Sequence, residues 1–149
     1  MDVTIKNQPE LRVAGIRHIG PYHEIGRAFG SLGGIAGKPP DGARMIAIFH
    51  DDPDTTPTDK LRSDAALALP QAAKAPNGLI EQRIPAGRYA TVVHKGPYED
   101  LPNLWAQLRK EWLPANGHKA ANPSYEIYLN NPMTTPKPDL LTELYLRLA

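Results

Sequence analysis

Two kinds of periodicity alternate along this chain. Short segments, in which apolar residues alternate with polar ones or run together between prolines and glycines, are typical of β-strands. The predicted strands are Val3–Lys6, Arg12–Ile19, Met45–His50, Leu61–Leu69, Leu79–Ile84, Arg88–His94, Ser124–Leu129 and Leu140–Leu148. Two other segments place apolar residues three or four positions apart, which puts them on one face of a helix. These stripes are Ile25, Phe29, Leu32 and Ala36 in the first helix, and Leu101, Trp105, Leu108 and Trp112 in the second.

The order strand, strand, helix, strand, strand occurs twice because the chain contains an internal repeat. His18–Tyr22 (HIGPY) reappears 76 residues later as His94–Tyr98 (HKGPY). Ile48–Leu69 aligns with Ile127–Leu148 at an offset of 79, and eight of the 22 aligned pairs are identical. A period of this length is too long for a solenoid, whose units run about 20–50 residues. It predicts a duplicated module with one shared core.

We therefore expect a single domain over residues 1–149, with one repeat in about 1–76 and the other in about 77–149. Strands grouped with one helix per half indicate the α+β class, a largely antiparallel sheet with both helices on one face. The halves should be related by a pseudo-twofold axis. Such a joint creates a cleft of the kind in which small molecules bind.

Composition excludes several classes of function. The formal net charge of the 149 residues is +1 and the basic residues are scattered, so no direct nucleic-acid binding is predicted. Cysteine is absent, which excludes disulfides and thiolate chemistry and suits a cytoplasmic protein. No apolar stretch approaches the roughly 20 residues of a membrane span. No metal-ligand spacing, phosphate-binding loop or nucleophile elbow occurs, so we expect no metal and no cofactor.

The two repeats differ in their chemistry. Seven of the ten aromatic residues belong to the second half. Aligning the halves places Glu126 opposite Ala47, Tyr89 opposite Val13, Trp105 opposite Phe29, Tyr128 opposite Phe49, and Tyr145 opposite Ala66. Function is therefore expected on the side of the cleft that the second half forms.

Strand parity groups some of these residues. Successive strand residues point to opposite faces, so Glu126 and Tyr128 share one face of their strand. We expect that face to lie away from the helix, where Tyr145 of the last strand would join it in one aromatic cleft with a single acid. Such a cleft suits a flat or cationic ligand, and a carboxylate in an apolar pocket can also serve as general acid or base. The alternatives are that Glu126 is a solvated residue on an open sheet, and that Trp105 belongs only to the core.

Several segments together resemble the GyrI-like small-molecule-binding family, which is also called the AraC-type effector-binding domain. They are Lys60–Asp64, Arg88–Ala90, His94–Tyr98, Trp112–Pro114 and Tyr125–Pro132. The resemblance implies a duplicated β-α-β-β module whose cleft binds lipophilic, often cationic, compounds. It also implies that Glu126 is the characteristic polar contact among aromatic side chains. Since no residues remain for a DNA-binding domain, the chain is similar to the free-standing members of the family.

The resemblance leaves three hypotheses open. The first is a toxin- or drug-binding or sensing protein, with Glu126, Tyr89, Trp105, Tyr128, Tyr145 and Phe49 as ligand contacts. The second is a hydrolase of strained, cyclopropane-type genotoxins in which Glu126 is the general acid or base. The third is a DNA gyrase inhibitor that acts by protein contact.

Overall fold

A computed structural model describes all 149 residues, and its elements follow the predicted order. The strands are β1 (Thr4–Gln8), β2 (Leu11–Ile19), β3 (Arg44–Phe49), β4 (Arg62–Ala68), β5 (Ile80–Ile84), β6 (Gly87–Lys95), β7 (Ser124–Tyr128) and β8 (Leu141–Arg147). The helices are α1 (Gly26–Ala36), α2 (Leu101–Gln107) and the short α3 (Leu113–Ala115), with a π-helical turn at Leu108–Trp112 between the last two. None of them has the length and apolar character needed to cross a bilayer. The predicted α+β class is confirmed.

All eight strands form one antiparallel sheet in the order β1-β6-β8-β7-β3-β4-β2-β5. The two halves meet at its centre, where β3 pairs with β7 and Ala47 lies directly opposite Glu126. The first strand of each half crosses to the other half, because β1 pairs with β6 and β5 pairs with β2. The repeats are therefore interlocked through exchanged edge strands.

Two short connections force this sheet to curl. Only Pro9 and Glu10 join β1, at one edge, to β2 near the other edge, and only Pro85 and Ala86 join β5 to β6. The three Cα–Cα steps of each connection span at most about 11 Å, so the two ends of the sheet must approach each other. The result is a half-barrel with an inner and an outer face.

The inner face is filled by its own core. Tyr125 stacks on Tyr145 with ring centroids 4.6 Å apart, and Tyr89 lies 5.1 Å from Tyr125. Ile84 of β5 and Tyr89 of β6 belong to the same buried cluster, although their strands lie near opposite ends of the sheet. This cluster is what the curled sheet encloses.

The helices cover the outer face, and this corrects one prediction. Glu126 and Tyr128 do share a face, but it is the one beneath the helices, because the indole of Trp105 in α2 contacts Glu126. Tyr145 and Tyr89 lie on the inner face instead. Parity was misassigned because the curl buries both faces of β7, so an apolar face does not identify the side on which a helix packs.

Helix α1 is rich in glycine, and this leads to a prediction about stability. A glycine inside a helix lowers stability by about 0.5–1 kcal/mol relative to alanine. A Cβ built on Gly30 meets no atom within 4 Å. Gly30→Ala should therefore raise the free energy of unfolding by about 0.5–1 kcal/mol in urea titrations. A decrease would show that this position needs glycine for a reason other than helix geometry.

Candidate functional site

A cavity of about 850 Å³ lies between α1 and α2, above the central strands β3 and β7. It therefore sits at the joint of the two repeats. Most of its wall comes in repeat-equivalent pairs. These are Tyr22 and Tyr98, His23 and Glu99, Ile25 and Leu101, Gly26 and Pro102, Phe29 and Trp105, Phe49 and Tyr128, and Pro53 and Pro132.

Glu126 is the acid on the sheet side of this cavity, and only 6% of its surface is exposed. Its Oε2 accepts a hydrogen bond from Trp105 Nε1 at 2.9 Å, and its Oε1 accepts one from the Tyr128 hydroxyl at 2.6 Å. No lysine, arginine or histidine forms an ion pair with it. The carboxylate is thus held in place by two neutral donors and has no counter-charge in the protein.

Burial has the largest effect on the pKa of the Glu126 carboxyl group. Loss of solvation raises the pKa of Glu126 above its ordinary value, while the hydrogen bonds from Tyr128 and Trp105 act in the opposite direction. Burial and the nearby Glu126 charge raise the pKa of Tyr128 well above the usual value for a phenol. Tyr128 therefore remains a neutral hydrogen-bond donor at any physiological pH.

Aromatic rings surround the acid. Phe29 packs edge-on against Tyr128 with centroids 5.7 Å apart, and Tyr98 lies 5.3 Å from Tyr128 on another side. Phe49 meets Trp105 edge-on at 5.9 Å. Rings in these positions present π-electron faces and edges to a ligand, and such surfaces attract cations as well as apolar groups.

The equivalent tyrosines Tyr22 and Tyr98 have different roles. The Tyr22 hydroxyl donates to the carbonyl of Asp51 at 2.6 Å, which ties the start of the first helical segment to the loop after β3. The Tyr98 hydroxyl is buried and has no hydrogen-bond partner. Burial raises the pKa of Tyr98, and the negative charge of Glu126 adds to the effect. The Tyr98 hydroxyl therefore makes no hydrogen bond and is not exposed to the cavity, which Tyr98 lines with its ring.

The structure brings together four of the six residues expected at the site. Glu126, Trp105, Tyr128 and Phe49 all line the cavity, whereas Tyr89 and Tyr145 do not. The register explains the difference: Tyr145 lies opposite Tyr125, and Glu126 lies opposite Leu144, so Tyr145 and Glu126 point to opposite faces. That register is set by long-range strand pairing, so the local sequence pattern does not predict it.

Most other lining residues were not predicted from the sequence, among them Phe29, Tyr98 and Arg109. Tyr98 repeats Tyr22, so a comparison of the two halves shows no contrast at this position. Arg109 is aligned with Gly33 of the first repeat. A charged residue opposite a glycine is a larger chemical difference between the repeats than Tyr128 opposite Phe49. Comparing the halves across their full helices, and not only along the apolar stripes, is the signal that would have found it.

Comparison with known proteins agrees with this architecture. The model of the GyrI-like small-molecule-binding domain matches residues 1–149. A DNA gyrase inhibitor from Citrobacter koseri is 31% identical over 137 residues, which cover 88% of each chain.

Two solved structures share the fold. The C-terminal domain of EcmrR superposes with a TM-score of 0.79 at 24% identity, covering 99% of this chain and 97% of that one. SAV2435 bound to tetraphenylphosphonium superposes with a TM-score of 0.69 at 13% identity, covering 100% and 94%. At these identities the likeness shows a common fold and does not transfer a ligand.

Proposed function

Because the chain belongs to the family of GyrI-like small-molecule-binding domains, we propose that its cavity binds lipophilic aromatic cations and that Glu126 is their counter-charge. The observation that carries the proposal is a buried carboxylate, ringed by aromatic side chains, with no basic partner in the protein. Such a group is costly to keep ionised unless an opposite charge joins it. A cationic ligand would supply that charge.

The cavity has the size and surface for such a ligand. Pockets for drug-sized molecules occupy about 300–1,000 Å³ and combine apolar walls with a few fixed polar groups. The cavity of about 850 Å³ falls in this range. Trp105 and Tyr128 fix both carboxylate oxygens in advance, so little ordering is required when the ligand arrives.

The tetraphenylphosphonium complex of SAV2435 supports the proposal through a protein of the same fold. That ion is a permanent cation with four phenyl rings and no hydrogen-bonding group. It is therefore a suitable probe for an acid enclosed by aromatic walls.

Isothermal titration with tetraphenylphosphonium tests this function. We expect binding at one site per chain, and much weaker binding of the neutral triphenylphosphine oxide. Ala106→Phe provides a steric test, because Ala106 lines the cavity and a phenyl ring there would narrow it. Binding that survives this substitution unchanged would place the ligand elsewhere, and absence of binding to the unmodified protein would refute the proposal.

A second candidate function rests on the relative from Citrobacter koseri, whose name is DNA gyrase inhibitor. Contact with gyrase would place this protein in the cytoplasm. A supercoiling assay with purified gyrase decides the matter, with and without tetraphenylphosphonium. Unchanged supercoiling at high protein excess would eliminate this candidate.

The hydrolase alternative uses the same acid. Burial raises the pKa of Glu126, and a carboxyl group with a raised pKa is better suited to general acid or base catalysis than an exposed one. The experiment is product analysis by mass spectrometry after incubation with a cyclopropane-bearing electrophile. Equal turnover by the unmodified protein and Glu126→Gln would remove Glu126 from any such chemistry.

A further inference from the structure

Arg109 places a positive charge in the same cavity as Glu126. It lies on the π-helical turn Leu108–Trp112, a type of irregularity that is frequent at functional sites. Its guanidinium carbon stands 5.0 Å from the centre of the Trp105 ring, and the residue lines the cavity. The equivalent position in the first repeat is Gly33, so the charge is present on one side only.

Apart from the Trp105 ring, this guanidinium has no ion-pair partner and no hydrogen-bond acceptor within the protein. It takes part in none of the nine ion pairs, and it donates no hydrogen bond to a side chain or to the backbone. Burial, the largest influence, lowers the pKa of Arg109, and the charges of Asp52 and Asp54 partly compensate without either acid coming within 4.0 Å. Five N–H groups therefore remain free in a partly desolvated place, which is unfavourable unless a ligand accepts from them.

Trp105 separates the two charges. Its indole N–H binds the carboxylate of Glu126, whereas its ring face carries the guanidinium of Arg109. The acid and the base therefore do not neutralise each other, although both line one cavity. A ligand that is only cationic would be attracted by Glu126 and repelled by Arg109.

We infer that Arg109 forms a second polar subsite, which binds a carboxylate or another acidic oxygen of the ligand. The preferred ligands are then amphoteric aromatic molecules that carry a cation at one end and an acid at the other. This inference rests on the proposed function and narrows its ligand class. Planar guanidinium groups suit the task, since they bind a carboxylate through two parallel hydrogen bonds.

A matched pair of probes tests the subsite. Carboxybutyl-triphenylphosphonium carries a cation and a carboxylate, and its methyl ester keeps the cation but loses the acid. We expect the acid to bind the unmodified protein about tenfold more tightly than the ester, the size expected of a charge-assisted hydrogen bond. In Arg109→Met, which keeps a long apolar side chain against Trp105, this preference should disappear and the ester should bind more tightly than before.

The controls separate this inference from the proposed function. Arg27→Met removes an exposed charge of α1 that does not line the cavity, and it should leave the preference intact. Equal binding of acid and ester to the unmodified protein, or a preference that persists in Arg109→Met, would overturn the subsite while the cation site stands. If neither probe binds, the proposed function fails and the subsite fails with it.

Discussion

Replacing Glu126 with glutamine is expected to weaken the binding of tetraphenylphosphonium by about 100-fold, the range observed when one member of a buried charge pair is removed. Glutamine has nearly the same shape, so the walls of the cavity should remain. The amide can accept from Trp105 Nε1 through its oxygen and donate from its nitrogen to the Tyr128 hydroxyl oxygen, so both contacts can be kept. The loss should therefore report the charge of Glu126. Titration calorimetry on both proteins measures it, and equal affinities would contradict the role of Glu126.

The stability of the protein and its affinity for tetraphenylphosphonium should both depend on pH through Glu126, in a direction that its raised pKa fixes. Burial raises the pKa of Glu126 above its ordinary value of 4.5, so the folded protein holds the proton more tightly than the unfolded chain does. As pH rises from that ordinary value through the raised one, the empty protein should lose stability and its affinity for a permanent cation should increase. Both trends should be absent in Glu126→Gln. Urea unfolding and calorimetry across this interval provide the check, and a flat affinity profile for the unmodified protein would contradict the assignment.

Gly15→Ala is expected to lower the free energy of unfolding by about 3 kcal/mol, the upper part of the range for overpacked sites. Gly15 lies in β2 opposite Ala66 of β4. A Cβ at this position would stand 2.3 Å from the carbonyl oxygen of Ala65 and 2.5 Å from the Cβ of Ala66. The backbones of β2 and β4 would have to separate, because no flexible side chain can move out of the way. Glycine within a strand commonly marks such a close approach.

The matched control for this substitution is Gly30→Ala, which adds the same methyl group where no atom lies within 4 Å. The two variants should therefore shift stability in opposite directions in urea titrations. A Gly15→Ala variant as stable as the unmodified protein would show that β2 and β4 are less closely packed than described.

The order of elements was predictable from sequence because each element has a local signature. The alternation in Arg88–His94 and the stripe ending at Trp112 depend only on nearby residues, and the repeat assigned both halves at once. The exchange of β1 and β5 was not predictable, because the Pro9–Glu10 and Pro85–Ala86 connections are short enough for a hairpin yet join strands that do not pair. Pairing of this kind is decided by long-range contacts.

The candidate site, like the fold, was predictable from the sequence only in part. Glu126 was found because an acid faces an alanine in the other repeat, a contrast that needs no structure. Its position beneath the helices, and the exclusion of Tyr145, depend on which face of a fully buried strand meets which core. Arg109 was missed because a charged residue beside an apolar stripe is typical of a solvated helix face. Its contact with Trp105 is visible only in three dimensions.

Two ions of the same shape and opposite charge test directly whether Glu126 forms a cation site. Tetraphenylphosphonium and tetraphenylborate offer the same four phenyl rings to the aromatic walls, so a difference in affinity reports the charge of the site. We expect the unmodified protein to bind the phosphonium at least 100-fold more tightly, and Glu126→Gln to reduce this ratio by about the same factor. Equal affinity for both ions, or a ratio that is unchanged in Glu126→Gln, would contradict a cation site built on this buried carboxylate.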